Sequence, residues 1–236
     1  MIELNADIGE GCDDARLMPF VDRVSIASGG HTGDATSMAA ALRLARTHGV
    51  KVGAHPGYPD RAGFGRQPIA AAAAVIRAWV VEQIETLAEV AGREGMRLAH
   101  VKPHGALYNV AAQDAEVAGA IAAAVRSVDA GLLLVGLAGS QLIEAGRAAG
   151  LGVLNEAFVD RRYATRLRLV SRETSGALIH DPALAAEQAL SLAKGEGVVA
   201  ASGEWLEIRA DTLCLHSDTP GAIALARAVH AALHDG

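Results

Sequence analysis

A chain of 236 residues that is 51% hydrophobic holds enough apolar material for one large α/β domain or two small ones. Its net charge of −6 excludes a nucleic-acid surface, which needs a basic stripe. Two cysteines, Cys12 and Cys214, without CxxC spacing, exclude a disulfide framework.

No apolar run reaches the length of a bilayer span. Residues 70–81 are interrupted by Arg77 and followed by Glu82. The opening Met-Ile-Glu-Leu-Asn-Ala-Asp lacks the basic and apolar regions of a signal peptide, so a cytoplasmic protein is expected.

Residues 2–8 read as a strand that breaks at Gly9-Glu10-Gly11, leaving Asp7 and Glu10 at its end. Residues 23–28 form the next strand and run into Gly29-Gly30-His31-Thr32-Gly33-Asp34. Asp34 can accept from the free N–H groups of a helix starting near Ala35. That helix carries Met38, Ala41, Leu42 and Ala45 on one face and stops at His48-Gly49. A third strand, 50–54, leads into His55-Pro-Gly-Tyr-Pro-Asp-Arg-Ala-Gly-Phe-Gly-Arg66, too rich in Gly and Pro for helix or central strand. The longest helix is expected from 69 to about 92, with Trp79, Gln83 and Leu87 sharing a face.

Leu98-Ala-His-Val-Lys-Pro-His-Gly-Ala-Leu-Tyr108 begins as a buried strand and ends in Lys102, His104 and Tyr108, where a Pro-His-Gly turn stops it. A helix capped at Asp114 follows, then a strand at 132–135 ending in Gly-Leu-Ala-Gly-Ser140, and another helix to about Ala149. A sixth strand, 153–159, carries Glu156 and ends at Asp160. An Arg-rich insertion spans about 161–181, and its cations, Arg161, Arg162, Arg166, Arg168 and Arg172, read first as a solvated rim. A helix over 182–194, an extra hairpin at about 198–208, a last core strand at 210–216 and a closing helix complete the chain.

Seven core strands alternating with helices predict a parallel sheet covered on both faces. A closed, TIM-like seven-stranded β/α barrel over residues 1–236 fits better than an open sheet. No Gly-x-Gly-x-x-Gly fingerprint follows the first strand, and polar residues recur after each strand.

In such a barrel the strand ends share one mouth. This mouth would gather Asp7 and Glu10, His31 and Asp34, His55, Lys102, His104 and Tyr108, Ser140, Glu156 and Asp160, and Asp211, His216 and Asp218. A lone histidine after a strand is most often a turn residue, but four on strand ends beside carboxylates favour a site. His48, His100, His180, His230 and His234 lack that support and read as structural; Asp34 as a cap and Asp211 as a strand edge are the bland alternatives. Cys12 has no matched base and reads as incidental. Arg66 and Arg161 suit a substrate carboxylate, because a guanidinium fork matches a planar anion.

Two chemistries can use this set. One is metal-assisted hydrolysis, with Asp7, His31, His55 and His104 as the ligands, although no HxxH or HExxH supports it. The other is metal-free work on an amide or carboxylate, with Lys102 and histidines titrating near neutrality. No Gly-x-x-x-x-Gly-Lys-[Ser/Thr] occurs, so nucleotide use cannot rest on a P-loop. On sequence grounds His104→Ala and Lys102→Ala are each expected to abolish turnover and spare the fold.

Leu4-Asn-Ala-Asp-Ile-Gly-Glu10, Gly53-Ala-His-Pro-Gly-Tyr-Pro-Asp60, Gly63-Phe-Gly-Arg66 and His100-Val-Lys-Pro-His-Gly-Ala-Leu-Tyr-Asn109 resemble signature segments of the LamB/YcsF family, the A subunits of 5-oxoprolinases. So do Gly136-Leu-Ala-Gly-Ser140, Asp160-Arg161 with Tyr163, and Ala210-Asp-Thr-Leu-Cys-Leu-His216, in the same order. The resemblance implies a barrel similar to that of polysaccharide deacetylases. It also implies ATP-dependent opening of the 5-oxo-L-proline lactam to L-glutamate, with Mg²⁺ as the counter-ion of ATP and separate B and C subunits as partners. Carried over by position, Asp7, Glu10, His31, His55, Lys102, His104, Asp160 and His216 are the catalytic candidates. Arg66, Tyr108, Asn109, Ser140 and Arg161 are those for substrate binding. The chain departs from the family pattern at Cys12-Asp13-Asp14, where the loop is short, at Ser28-Gly29-Gly30-His31, at Arg166-Leu167 and at Ser217. Two other readings are a stand-alone metal-dependent deacetylase or amidohydrolase and a non-catalytic lactam-binding subunit.

Overall fold

The computed structural model describes residues 2–235. In chain order the elements are β1 (Glu3–Ile8), α1 (Asp14–Leu17), β2 (Arg23–Ala27), α2 (Ala35–His48), β3 (Lys51–His55), α3 (Ala73–Arg93) and β4 (His100–Val101). Then come α4 (Gly105–Ala111), α5 (Ala115–Val128), β5 (Leu133–Leu137), α6 (Gln141–Ala148), β6 (Val153–Phe158), β7 (Tyr163–Thr165) and β8 (Arg168–Leu169). The chain continues with α7 (Pro182–Ala193), β9 (Val198–Val199), β10 (Trp205–Leu206), β11 (Thr212–His216) and α8 (Ala222–Asp235).

Seven of the strands close into a barrel in the order β1-β11-β6-β5-β4-β3-β2, and every pair is parallel. Parallel neighbours need a crossover, and α2, α3, α5 and α6 supply it on the outside. The strands alternate in the way a period of two demands. Leu4, Ala6, Ile8, Val24, Ile26, Val52, Ala54 and Val101 join the buried apolar core with the helices. The residues between them are polar and bond to one another, so the barrel is filled by a polar network. Asn5 Nδ2 donates to Thr212 Oγ1 at 2.9 Å, and Lys102 Nζ reaches Asn5 Oδ1 at 3.2 Å.

His100 fills the barrel interior beneath the site. Arg23 can only donate, so at 3.1 Å it fixes His100 Nδ1 as an acceptor and leaves Nε2–H for Ser25 Oγ at 3.2 Å. Burial and then the charge of Arg23 hold its pKa well below the ordinary imidazole value. Gly53 makes room for that ring, since a Cβ there would stand 2.4 Å from it. His100 is a structural group.

Local signals set several boundaries. Asp34, Asp114 and Asp181 each accept from first-turn N–H groups of α2, α5 and α7, and Gly49 closes α2 at φ 69°. The long helix begins at Ala73, not at 69. Ala72 offers no capping side chain, and Ile69 and Ala71 pack on the core as extended chain. The insertion contains the hairpin β7–β8, and residues 198–208 contain the hairpin β9–β10. No helix among the described residues is long and apolar enough to cross a membrane.

Candidate active site

The C-terminal ends of the strands open into a cavity of about 640 Å³, within the usual range for ligand sites. Asp7, Glu10, His55, Lys102, His104, Tyr108 and His216 line its floor. Arg66, Asn109, Arg161, Arg168, Arg172 and Asp218 line its wall. Groups from β1, β3, β4, β11 and the insertion thus converge where a barrel mouth brings them.

Lys102 is the hub. Its ammonium stands 3.0 Å from Asp7 Oδ1, 2.8 Å from Glu156 Oε1 and 3.1 Å from Cys214 Sγ, and all four residues are buried. Burial works against its charge, but Asp7, Cys214 and Glu156 raise its pKa well above the ordinary lysine value. Lys102 is therefore a fixed positive charge and does not titrate near neutrality, which corrects the expectation that it handles protons. Tyr108 donates to Glu156 Oε2 at 2.7 Å and keeps its own proton, since burial and that carboxylate raise its pKa well above the ordinary value. Sequence reasoning put Glu156 at the mouth but gave it no part in catalysis or binding. Glu156 lies in the buried C-terminal half of β6.

Three histidines pack around Glu10. His55 Nδ1 lies 2.8 Å from the Lys102 carbonyl, and His104 Nε2 lies 2.9 Å from the Phe64 carbonyl. A carbonyl only accepts, so each of these nitrogens carries the proton. His31 Nε2 lies 2.9 Å from Glu10 Oε1 and its ring stacks on His104 at 3.5 Å. His31 is buried behind the cavity and holds Glu10 from there.

Burial, outweighing Asp7, draws the His55 pKa down to about 3, so this imidazole is neutral at pH 7. Burial alone would raise Asp7, yet His55, Lys102 and His216 hold it at about 2. With His55 neutral, the Lys102 charge is the lasting cause.

Asp160 and His216 form a dyad. His216 Nδ1 lies 3.0 Å from Asp160 Oδ1, and Asp160 Oδ2 accepts from the His216 N–H at 3.1 Å and from Thr219 Oγ1 at 2.8 Å. Burial raises Asp160, but His216 and Thr219 hold its pKa at about 2. The proton therefore sits on His216 Nδ1, and Nε2 is the free atom of a ring that lines the cavity. Phe158 stacks on that ring at 5.4 Å.

The wall is cationic. Arg66 and Arg172 both bind Asp218, at 2.8 and 2.7 Å. Arg161 donates from Nη2 to the Val170 carbonyl at 2.8 Å, while its Nε is buried without a partner. Burial and then the nearby Arg172 charge lower the Arg161 pKa to about 10. Arg161, Arg168 and Arg172 are thus cavity lining, which corrects their reading as a solvated rim, whereas Arg162 and Arg166 are exposed as that reading expected.

Three placements differ from expectation. Ser140 is fully buried and caps α6 through Ile143 N–H at 3.4 Å, away from the cavity, so it is not a substrate group. Asp211 precedes β11 and accepts from Asn155, a strand-edge role. Gln83, read as part of an apolar stripe, clamps Gly57: Oε1 accepts its N–H at 2.9 Å and Nε2 donates to its carbonyl at 2.8 Å. Burial pushes the Cys12 thiol pKa up, which removes any nucleophilic advantage there.

The LamB/YcsF family model matches residues 2–236. The chain belongs to the LamB/YcsF family. A protein of Chloroflexus aggregans named as the A subunit of 5-oxoprolinase is 50% identical over 234 residues, covering 97% of this chain and 93% of the relative. Another of that name from Methylococcus capsulatus is 50% identical over 232 residues, covering 96% and 89%. The crystal structure of a lactam utilization protein from Thermus thermophilus is 44% identical, with a TM-score of 0.92 over 99% of this chain and 96% of that one.

Proposed function

We propose that this chain is the A subunit of an ATP-dependent 5-oxoprolinase, a hydrolase that opens the 5-oxo-L-proline lactam to L-glutamate. The observation that carries the reading is near-complete coverage by relatives named as 5-oxoprolinase A subunits. Asp7 and Glu10 of the first signature segment and Lys102, His104, Tyr108 and Asn109 of another line the same cavity. The reading treats residues 1–236 as one β/α-barrel domain in the cytoplasm, working with ATP, its Mg²⁺ counter-ion, and separate B and C subunits.

A lactam carbon resists water because its carbonyl shares electrons with nitrogen. Transfer of the ATP γ-phosphoryl group to the amide oxygen removes that sharing, with the ring N–H proton released. Water then adds to the carbon while one of its protons passes to His216 Nε2, a transfer for which the Asp160-held tautomer is suited. That proton moves to the ring nitrogen, and the proton left on the adding oxygen follows as the C–N bond breaks, giving the free amine and leaving the new carboxyl as an acyl phosphate. A second water cleaves it to carboxylate and inorganic phosphate.

Lys102 lends its fixed charge to oxygens that become negative, with Asp7 and Glu156 holding it in place. Arg161, with an unpaired buried Nε, suits the lactam carboxylate, and Arg66 and Asn109 complete that wall.

The test is reconstitution. This chain alone should give negligible turnover, and adding the B and C subunits with ATP should release glutamate and phosphate together. ATP-independent hydrolysis by the isolated chain would instead favour the stand-alone amidohydrolase. Binding of 5-oxoproline with no turnover in the full assembly would favour a non-catalytic lactam carrier.

A further inference from the structure

The proton positions fixed around Glu10 leave an electrostatic problem at the cavity floor. His55 spends its one N–H on the Lys102 carbonyl and His104 spends its own on the Phe64 carbonyl. In the neutral rings, His55 Nε2 and His104 Nδ1 are then both lone pairs, and they face each other at 3.1 Å. Glu10 Oε1 lies 3.2 Å from His104 Nδ1 and 3.8 Å from His55 Nε2. Asp7 Oδ2 lies 3.5 Å from His55 Nε2. The charge that binds Asp7 belongs to Lys102, on its other oxygen. Acceptors converging in this way repel one another unless something positive sits among them.

The spacing says what would fit. Ligands about 2.0–2.1 Å from a tetrahedral ion stand about 3.3 Å from each other. The separations of 3.1, 3.2 and 3.8 Å within the triad bracket that edge. Two imidazoles and a carboxylate select a borderline divalent ion such as Zn²⁺, Co²⁺ or Mn²⁺ over Ca²⁺, which takes oxygen ligands.

We propose that Glu10, His55 and His104 bind one divalent transition-metal ion, with a further coordination position open to the cavity. His31 is the group that orients Glu10. The four sequence candidates for a metal are thereby rearranged: Glu10 enters the ligand set, while Asp7, held by Lys102, and His31 leave it. His31 Nε2–H is committed to Glu10 Oε1, and its Nδ1 is buried without a partner. Carboxylate and carbonyl partners behind metal ligands fix their orientation and tautomer, and the Lys102 and Phe64 carbonyls do this for the two ligand imidazoles. All three ligands line the cavity and His31 does not, as expected for an ion that meets substrate. The competing occupant is a single proton shared between His55 Nε2 and His104 Nδ1.

The proposal goes beyond the lactam-opening reading, and its test needs neither lactam, ATP nor partner chains, so either can fail alone. The full chain, stripped with chelator, is titrated with Co²⁺ and followed by visible absorption. The expected result is d–d bands that saturate at one equivalent and bleach on adding Zn²⁺. His55→Ala and His104→Ala should lose the bands. Glu10→Gln, which keeps the side-chain volume and so guards against misfolding of the alanine variants, should weaken binding. His31→Ala should keep the bands but bind about 10- to 100-fold more weakly. Absence of saturable bands in the parent chain, or bands unaltered in Glu10→Gln and in both alanine variants, would overturn the site and leave the shared proton as its occupant.

Discussion

Two buried carboxylates that share one ammonium behave as a unit, and that governs what can be asked of Lys102. On sequence grounds Lys102→Ala is expected to stop turnover and spare the fold, whereas the packing predicts a loss of both. Asp7 and Glu156 would be left without their cation inside the barrel. Breaking a buried pair in this way costs about 3–5 kcal/mol. Urea unfolding should show a lower midpoint at unchanged m, and an unaltered midpoint would mean that the two carboxylates find protons or other partners cheaply.

Asp160 yields a pH prediction. Its folded pKa of about 2 lies below the ordinary value of 3.8, so its stabilising contribution is full above about pH 4. The contribution is lost as pH falls through about 2. Asp160→Asn should therefore be less stable than the parent at pH 7, and the gap should close between about pH 4 and 2 in acid-unfolding curves. Asp7 and Glu10 were legible as strand-end acids because they follow an apolar run at the Gly9–Gly11 break, and Asp160 because it ends the run of β6. Their partners were not: Glu10 meets His31 across 21 residues and His104 from a more distant loop, pairings that spacing does not encode.

Among the elements, β4 shows most clearly why boundaries drawn from apolar runs drift. Its regular span is only His100–Val101, although the run suggests more: Lys102 N–H still donates to the Ala54 carbonyl, but Pro103 offers no N–H to carry the ladder on. The capped helices were readable from Asp34, Asp114 and Asp181, each with a local mechanism. The start of α3 was not, since alanines mark no cap.

Gln83 was hidden for a similar reason, a polar residue at an apolar period. It closes both backbone groups of Gly57 and so fixes the loop that leaves His55. Gln83→Leu keeps the volume but strands a buried N–H and a buried C=O, each costing about 1–3 kcal/mol. A fall of that order should appear in thermal or urea unfolding. Faster hydrogen exchange at Gly57 should accompany it, while the amides of β11 on the far side of the barrel should be unaffected.

At the scale of the whole molecule, closure was legible because polar groups recur after every strand, and only a barrel gives so many ends a common mouth. What remained hidden was the Arg-rich insertion folding back over that mouth. Asp218 ties it there: Arg66 from the loop after β3 and Arg172 from the insertion grip the same carboxylate from two sides. These groups are partly exposed, so the pairs contribute on the order of 1 kcal/mol or less to stability. Their consequence lies in the field over the cavity, since Arg161, Arg168 and Arg172 all line it. Arg172→Ala removes one of these cations and one of the ties. In the reconstituted lactam assay it should raise KM for the anionic substrate several-fold, about 1 kcal/mol, with little change in kcat. Added salt should shrink the difference between parent and variant, because exposed charges are screened over about 8–10 Å. Equal KM values at low and high salt would show that Arg172 serves only to hold the insertion.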